Sequence, residues 1–286
     1  GEWYGRDDNI VAEGYTMERL VPTLSDKSCK FVENATRTRP DQPFFLYWAI
    51  NLPHYPLQGT DKWRKKYEHL PVPRRMYNAF VSTMDESIGK LLAKLDELKL
   101  REDTIVIFQS DHGHSHEERT FSGGGSAGPY RGAKFSLFEG GIRVPAMISW
   151  PGKLPAGEVR SQMATACDWM PTIADLAGVE RPARKLDGRS IAKMIQSSEA
   201  DSPHKQFHWQ SGGGRNPQWA VRDGDWKLIG NPRDTSNKAP VGKGDARFLV
   251  NLADDVSEMK NQAGDNPEMV SRLEKLHDVW LKDASK

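Results

Sequence analysis

Long hydrophobic runs, cysteine and an excess of one sign of charge are what this sequence lacks. No apolar stretch approaches the ~20 residues that cross a bilayer as a helix, so no membrane-spanning segment is expected. Two cysteines, Cys29 and Cys167, sit far apart without the spacing of a zinc site or a thiol redox pair. They are expected to be buried free thiols that pack as small hydrophobes. Forty basic and 39 acidic side chains leave a formal charge of +1, which provides no global field to recruit nucleic acid or an anionic membrane. Neither is an expected partner, and any charge-based function must be local. A basic, apolar leader is also missing: the chain opens on "GEWYGRDDNI" without an initiator methionine, which reads as a mature or truncated start.

What is there suits a large α/β core with a smaller appendage, since 286 residues can bury both. "SDKSCKFVENA" has a serine cap candidate at Ser25 and Phe31, Val32 and Ala35 at helical spacing. "PFFLYWAI", residues 43–50, is a continuous aromatic-rich run of strand length that reads as buried on both faces. It stops at "NLPHYP", which places His54 just beyond a strand end. Residues 76–98 put Tyr77, Phe80, Val81, Met84, Ile88, Leu91, Leu92 and Leu95 on one stripe with the 3.6-residue period of a helix. "DTIVIFQSDHG" follows as a second buried strand, and strand–helix–strand calls for a parallel crossover in a helix-covered sheet.

Further along, "FSGGGSAGPYRG" is a glycine-rich loop, "RVPAMISWPG" a short strand, and "CDWMPTIADLAG" a helix stopped by Gly178. "RKLDGRS" and "QSSEADSPHK" read as a linker. Beyond it, "FHWQ", "QWAVRDGDWKLIG" and "ARFLVNL" are short strands with an Asp-Gly hairpin signal, and Met269, Leu273, Leu276 and Trp280 mark a closing helix. The expected division is an α/β domain over residues 1–200 and a small antiparallel sheet with a helix over 201–286. Most of the nine tryptophans are expected to serve packing.

Chemistry concentrates at the strand ends, where open α/β sheets collect ligands. "SDHGHSHEER" carries Asp111, His112, His114 and His116 directly behind an apolar strand. Calcium takes six to eight oxygen ligands, so Asp111 and His112 alone are too few, and zinc on the extra histidines is a rival reading. Lys134, just after the glycine-rich loop, offers a point charge to an anionic oxygen.

"LYWAINLPHYPLQG", "YNAFVSTMDESIGKLLAKLDELKLREDTIVIFQSDHG", "GPYRGAKFSLFEGGIRVPAMISWPG", "DWMPTIADLAG", "LDGRS" and "WAVRDGDWKLI" occur in an order and spacing that resembles the type I sulfatases of the alkaline phosphatase-like superfold. The resemblance covers almost the whole chain. It implies a helix-covered mixed sheet with a smaller C-terminal antiparallel sheet plus helix. It also implies sulfuric ester hydrolysis, with Asp111 and His112 on calcium and with His54 and Lys134 on sulfate oxygens. His116, Arg131 and His208 are further candidates for substrate contact, with Trp209 beside His208 on a rim over the site. Periplasmic or secreted localisation is what the family suggests.

The family's nucleophile is a formylglycine made within a Cys/Ser-x-Pro/Ala-x-Arg motif. Neither "SCKFV" nor "ACDWM" fits that motif, and no serine supplies it. Asp7 and Asp8 in "GRDDNI" do not match the aspartate pair that completes the family's calcium shell. The expectation is therefore the C-terminal part of a sulfatase, inactive and poorly soluble unless an N-terminal segment or a partner chain joins it, and acting on a sulfated glycan or small ester. A non-catalytic anion-binding module and a phosphate or phosphonate ester hydrolase remain alternatives.

Overall fold

The computed structural model describes residues 2–6, 9–15, 17–239 and 241–284, with side chains from Arg19 onward. Asp7 and Asp8 lie outside the described residues. Two compact units emerge, one formed by Gly1–Thr104 with Ser115–Ser126, the other by Ile105–His114 with Ala127–Lys286.

In the first unit, strands β1 (Glu2–Arg6) and β2 (Asn9–Tyr15) pair antiparallel and lead into helix α1 (Met17–Thr38). The helix begins well before Ser25, because Val21 already opens the buried face that Val32 and Ala35 continue. Ser25 is thus no cap. It is buried and donates through Oγ to the Ser87 carbonyl at 2.8 Å. Its acceptor lies on α3 (Arg74–Glu97), the helix that the apolar stripe predicts. The short α2 (Asp61–Lys66) packs on α3, where Thr60 N–H donates to Thr83 Oγ1 at 3.1 Å. Phe31 points off the α1 face and meets Phe44 edge-on at 6.2 Å.

Residues 43–50 correct the sequence reading. They carry no strand pairing among the described residues, and burial alternates along them, leaving Phe45 and Tyr47 72% and 81% exposed. A strand exists only through a hydrogen-bonded neighbour, and a run of apolar residues does not create one.

In the second unit, β3 (Val106–Gln109) pairs antiparallel with β4 (Ala146–Ser149), Val106 opposite Ser149, and the expected parallel crossover from residues 43–50 to β3 lacks its first strand among the described residues. Between them the single-turn helix α4 (Glu139–Ile142) begins. Helix α5 (Trp169–Ala177) ends at Gly178 in the left-handed conformation, as the sequence predicts. Asp168, fully buried before α5, accepts from the backbones of Thr165 and Arg189 and contacts His204 Nε2, each at 2.8 Å. A buried carboxylate needs such partners, so the expected linker is tied down around α6 (Ala192–Gln196). Cys167 is exposed and only Cys29 is buried, which corrects the expectation of two buried thiols.

The C-terminal sheet runs β5 (Gln206–Ser211), β6 (Gln218–Asp223), β7 (Trp226–Gly230), β8 (Arg247–Asn251), all antiparallel. Gly224 and Asp225 form the tight turn between β6 and β7, with Asp223 paired to Trp226. The alternation of a pleated strand sorts the faces. Ala220, Ile229, Phe248 and Val250 pack with Leu137 and Phe138, while Trp219, Val221, Leu228 and Leu249 pack with Leu273 of α7 (Pro267–Ala284). Both faces are covered, which is why "WKLI" is apolar at three of four positions.

His208, one residue out of phase with Trp209, falls on the α7 face and stacks on Trp280 at 5.2 Å, with His277 at 6.1 Å. His277 in turn lies 4.2 Å from Trp219. Burial, aided by His277 and opposed by Asp223, pulls His208 down to about 4. Burial also lowers His277, with Asp278 opposing and Arg247 assisting. A base depressed in the folded state stabilises above its unfolded value near 6.5 and loses that contribution as pH falls toward the folded value. Acidification from pH 7 to 4.5 is therefore expected to cost about 2 kcal/mol through His208 after allowing for its partial exposure. Urea unfolding followed by tryptophan fluorescence tests this. A His208→Phe variant should flatten the acid limb.

Candidate functional site

Strand β3 delivers its carboxyl end to Ser110, whose N–H donates to the Pro145 carbonyl at 3.1 Å, and Asp111 follows directly. The Asp111 side chain is 82% exposed. Its Oδ1 accepts from the His112 N–H at 2.9 Å, and its Oδ2 lies 3.2 Å from His112 Nε2. His112 Nδ1 lies 2.8 Å from the Gly113 carbonyl, which only accepts, so Nδ1 carries the proton. The His112 Nε2 and the Asp111 carboxylate thus face one another across 3.2 Å. Two electron-pair donors placed this way suit a cation.

Two donors are a fraction of a calcium shell. Among the described residues no group of three or more histidine, cysteine, aspartate or glutamate side chains is placed to hold a metal. Asp111 and His112 therefore do not by themselves make a calcium site, and the zinc reading through His114 and His116 finds no cluster either.

Lys134 is joined to the same segment. Its N–H donates to the His114 carbonyl at 2.8 Å, and its ammonium lies 5.0 Å from the Phe135 ring centre. A two-glycine turn in α4 completes the frame: Gly113 N–H donates to Gly141 O at 2.9 Å, and Gly140 N–H to Arg131 O at 2.6 Å. A Cβ on Gly113 would lie 2.0 Å from the Gly140 carbonyl oxygen, and one on Gly140 would lie 2.2 Å from that of Gly132. Only glycine permits this approach. The second unit thus brings the segments of Asp111, His112 and Lys134 together.

Beneath the turn lies a buried charge cluster that sequence reasoning missed. Lys227 on β7 places its ammonium 2.9 Å from Glu139 Oε1 and 2.9 Å from Glu258 Oε1, while Glu258 also accepts the Glu139 N–H at 2.5 Å. Burial pushes the Lys227 ammonium down, but the two carboxylates outweigh it and hold it above its ordinary value. Burial pushes Glu139 up, and Lys227 outweighs that to hold it low. Glu258 stays raised, by burial first. The signal was Lys227 alternating inward on a strand, which becomes visible only once the pairing is known.

Two candidates for substrate contact are corrected. Arg131 is 1% exposed and spends its guanidinium inside the fold: on Asp234 at 2.8 Å, on the Glu258 carbonyl at 2.9 Å and on the Ala239 carbonyl at 2.5 Å, with Phe138 at 4.1 Å. The side chain is 2% exposed, so the guanidinium does not face solvent, where a substrate would meet it. His208 is packed under α7, and Trp209 packs with the Phe248 cluster on the opposite face of the sheet, so the two do not share a rim.

His54 and His116 lie in the first unit. His54 is exposed, its Nδ1 3.0 Å from the Tyr55 carbonyl and its ring 4.5 Å from that of Tyr55. Arg119 donates to the Tyr55 hydroxyl at 2.5 Å, lies 4.1 Å from the ring centre and pairs with Glu117. His116 Nδ1 lies 3.1 Å from the Ser122 carbonyl. Arg119 stands inside the quoted motif, yet nothing in its spacing connects it to Tyr55.

Residues 6–179 match the sulfatase family model, more than half of the chain, and residues 132–284 match the model for the C-terminal region of N-sulphoglucosamine sulphohydrolase. The chain belongs to the sulfatase family. It is 33% identical over 209 residues to human steryl-sulfatase, covering 71% of this chain and 34% of that protein. With the N-acetylgalactosamine-6-sulfatase of Canis lupus familiaris it shares 38% identity over 164 residues, 57% of this chain and 30% of that one. The solved structure of Ps i-CgsB with k-i-k-neocarrahexaose superposes with a TM-score of 0.80 at 28% identity, covering 96% of this chain and 56% of that chain. This sulfatase chain has the alkaline phosphatase-like fold of those neighbours and spans about a third of the length of the curated relatives it matches.

Proposed function

We propose that this chain is the sulfate-handling portion of a sulfuric ester hydrolase acting on a sulfated carbohydrate, with a formylglycine nucleophile supplied by a segment outside this sequence. The observation that carries the reading is the backbone bonding of Lys134 to the segment that follows Asp111 and His112, in a chain of the sulfatase family. A sulfate ester is a tetrahedral anion whose cleavage builds charge on the sulfuryl oxygens and on the departing alcohol. Lys134 holds a positive charge on a braced segment, where it binds a sulfuryl oxygen and stabilises that charge. His54, whose Nδ1 lies 3.0 Å from the Tyr55 carbonyl, belongs to the other unit and is proposed as a sulfate-contacting residue on the family resemblance alone.

Were calcium bound here, Asp111 and His112 would supply two of its donors, and its remaining oxygens would have to come from outside this sequence. No Cys/Ser-x-Pro/Ala-x-Arg motif occurs in the 286 residues, so covalent attack requires a group from elsewhere. The carbohydrate half of the proposal draws on the relatives whose names give an N-acetylgalactosamine sulfate and a neocarrahexaose complex. The test compares sulfate release by the 286-residue chain with that by the full-length protein carrying matured formylglycine. Release only by the latter is expected. Turnover by the chain alone would place the nucleophile inside it, and inactivity of both would favour a non-catalytic anion-binding module.

A further inference from the structure

Seven non-glycine residues among those described have positive φ, and two of them are phenylalanines, Phe121 and Phe135. At Phe135 φ is 71°, a left-handed conformation that a bulky L-residue rarely adopts. Burial does not offset the strain, because the side chain is 57% exposed. The backbone around it is heavily determined. Ala133 N–H donates to Thr235 Oγ1 at 3.2 Å, and Gln218, itself buried, donates to the Phe135 carbonyl at 3.1 Å while accepting the Leu137 N–H at 3.0 Å. Glycine would take this conformation without strain. The protein instead holds an aromatic ring out in water, beside the Lys134 ammonium.

Strain that the surroundings enforce, at an exposed ring next to an anion-binding cation, marks a ligand contact more than a packing contact. The ligand must combine an anionic group with an adjacent apolar face. A sulfated pyranose does so, because the C–H face of its ring lies against an aromatic while the sulfate meets the ammonium. We propose that Phe135 is the stacking platform for the sugar ring that bears the scissile sulfate. The inference rests on the reading above in assuming that the sulfate meets Lys134.

The test uses the full-length protein, Phe135→Gly and Phe135→Ala, with the best-hydrolysed member of a panel of methyl glycoside sulfates and with n-propyl sulfate, which has no ring. Both variants should lower the ratio of kcat/KM for the glycoside over the alkyl ester about tenfold, through KM. Phe135→Gly should also raise the melting temperature, since it removes the strain, whereas a purely structural residue would lower it. An equal loss on both esters, or a ratio that moves less than about threefold, overturns the proposal. Calorimetry of glycoside binding separates this inference from the hydrolase reading. Binding that Phe135→Gly weakens, without turnover in any protein, overturns hydrolysis and keeps the stack. Undiminished binding to Phe135→Gly overturns the stack, and no binding to the unsubstituted protein overturns both.

Discussion

Replacing Lys227 by Met is expected to destabilise the chain by about 3–5 kcal/mol, the cost of leaving buried charge without its partner. The ammonium is fully buried between carboxylates that are 5% and 0% exposed. Methionine fills much of the same volume, so the loss is electrostatic and not a cavity effect. After substitution Glu139 keeps Arg143 at 3.5 Å, and Glu258 keeps the Glu139 N–H, which donates to its Oε2 at 2.5 Å. Urea denaturation measures the effect. The deficit should shrink as pH falls, because protonated carboxyl groups are cheaper to bury. The triple variant Lys227→Met, Glu139→Gln, Glu258→Gln should regain most of the stability. A single variant within about 1 kcal/mol of the parent would contradict this account. Because Glu139 opens the turn that receives the Gly113 N–H, amide exchange at Gly113 should accelerate in the single variant as well.

Lys134→Ala in the full-length sulfatase is expected to reduce kcat for sulfate ester cleavage about 10²–10³-fold, the usual effect of removing one group aimed at developing charge. Lys134 is half-buried, and what fixes it in place is its backbone donation to His114, which alanine retains. The fold should therefore tolerate the change, with stability within about 0.5 kcal/mol, so lost activity cannot be ascribed to unfolding. Lys134→Arg should recover part of the rate, since charge is kept while reach and geometry change. A loss smaller than about fivefold would remove Lys134 from the charge-stabilising role.

Much of the local structure was legible in the sequence. The stripe from Tyr77 to Leu95 is α3, the Asp-Gly signal is the turn between β6 and β7, Gly178 ends α5, and Met269 to Trp280 line α7. At the candidate site the motifs singled out Asp111, His112 and Lys134, and the structure sets their segments side by side in one unit. The failures have a common cause. Residues 43–50 are apolar enough for a central strand but lack a hydrogen-bonded neighbour among the described residues. Ser25 has the chemistry of a cap, yet the helix passes through it to meet Ser87. Arg131 sits in a motif that invites a ligand, but it serves Asp234 and two carbonyls instead.

The amino-acid order alone determined most of the helices and tight turns and that Asp111 and His112 follow the end of β3. These features depend on sterics and periodicity within a few residues of one another. Only the tertiary structure decided that His208 faces α7, that Arg131 is spent inside the fold and that Lys227 braces the turn behind Asp111 and Lys134. Strand pairing and burial bring together residues as distant as 139 and 258, and a charged side chain becomes a structural tie or a ligand-binding group according to what surrounds it there.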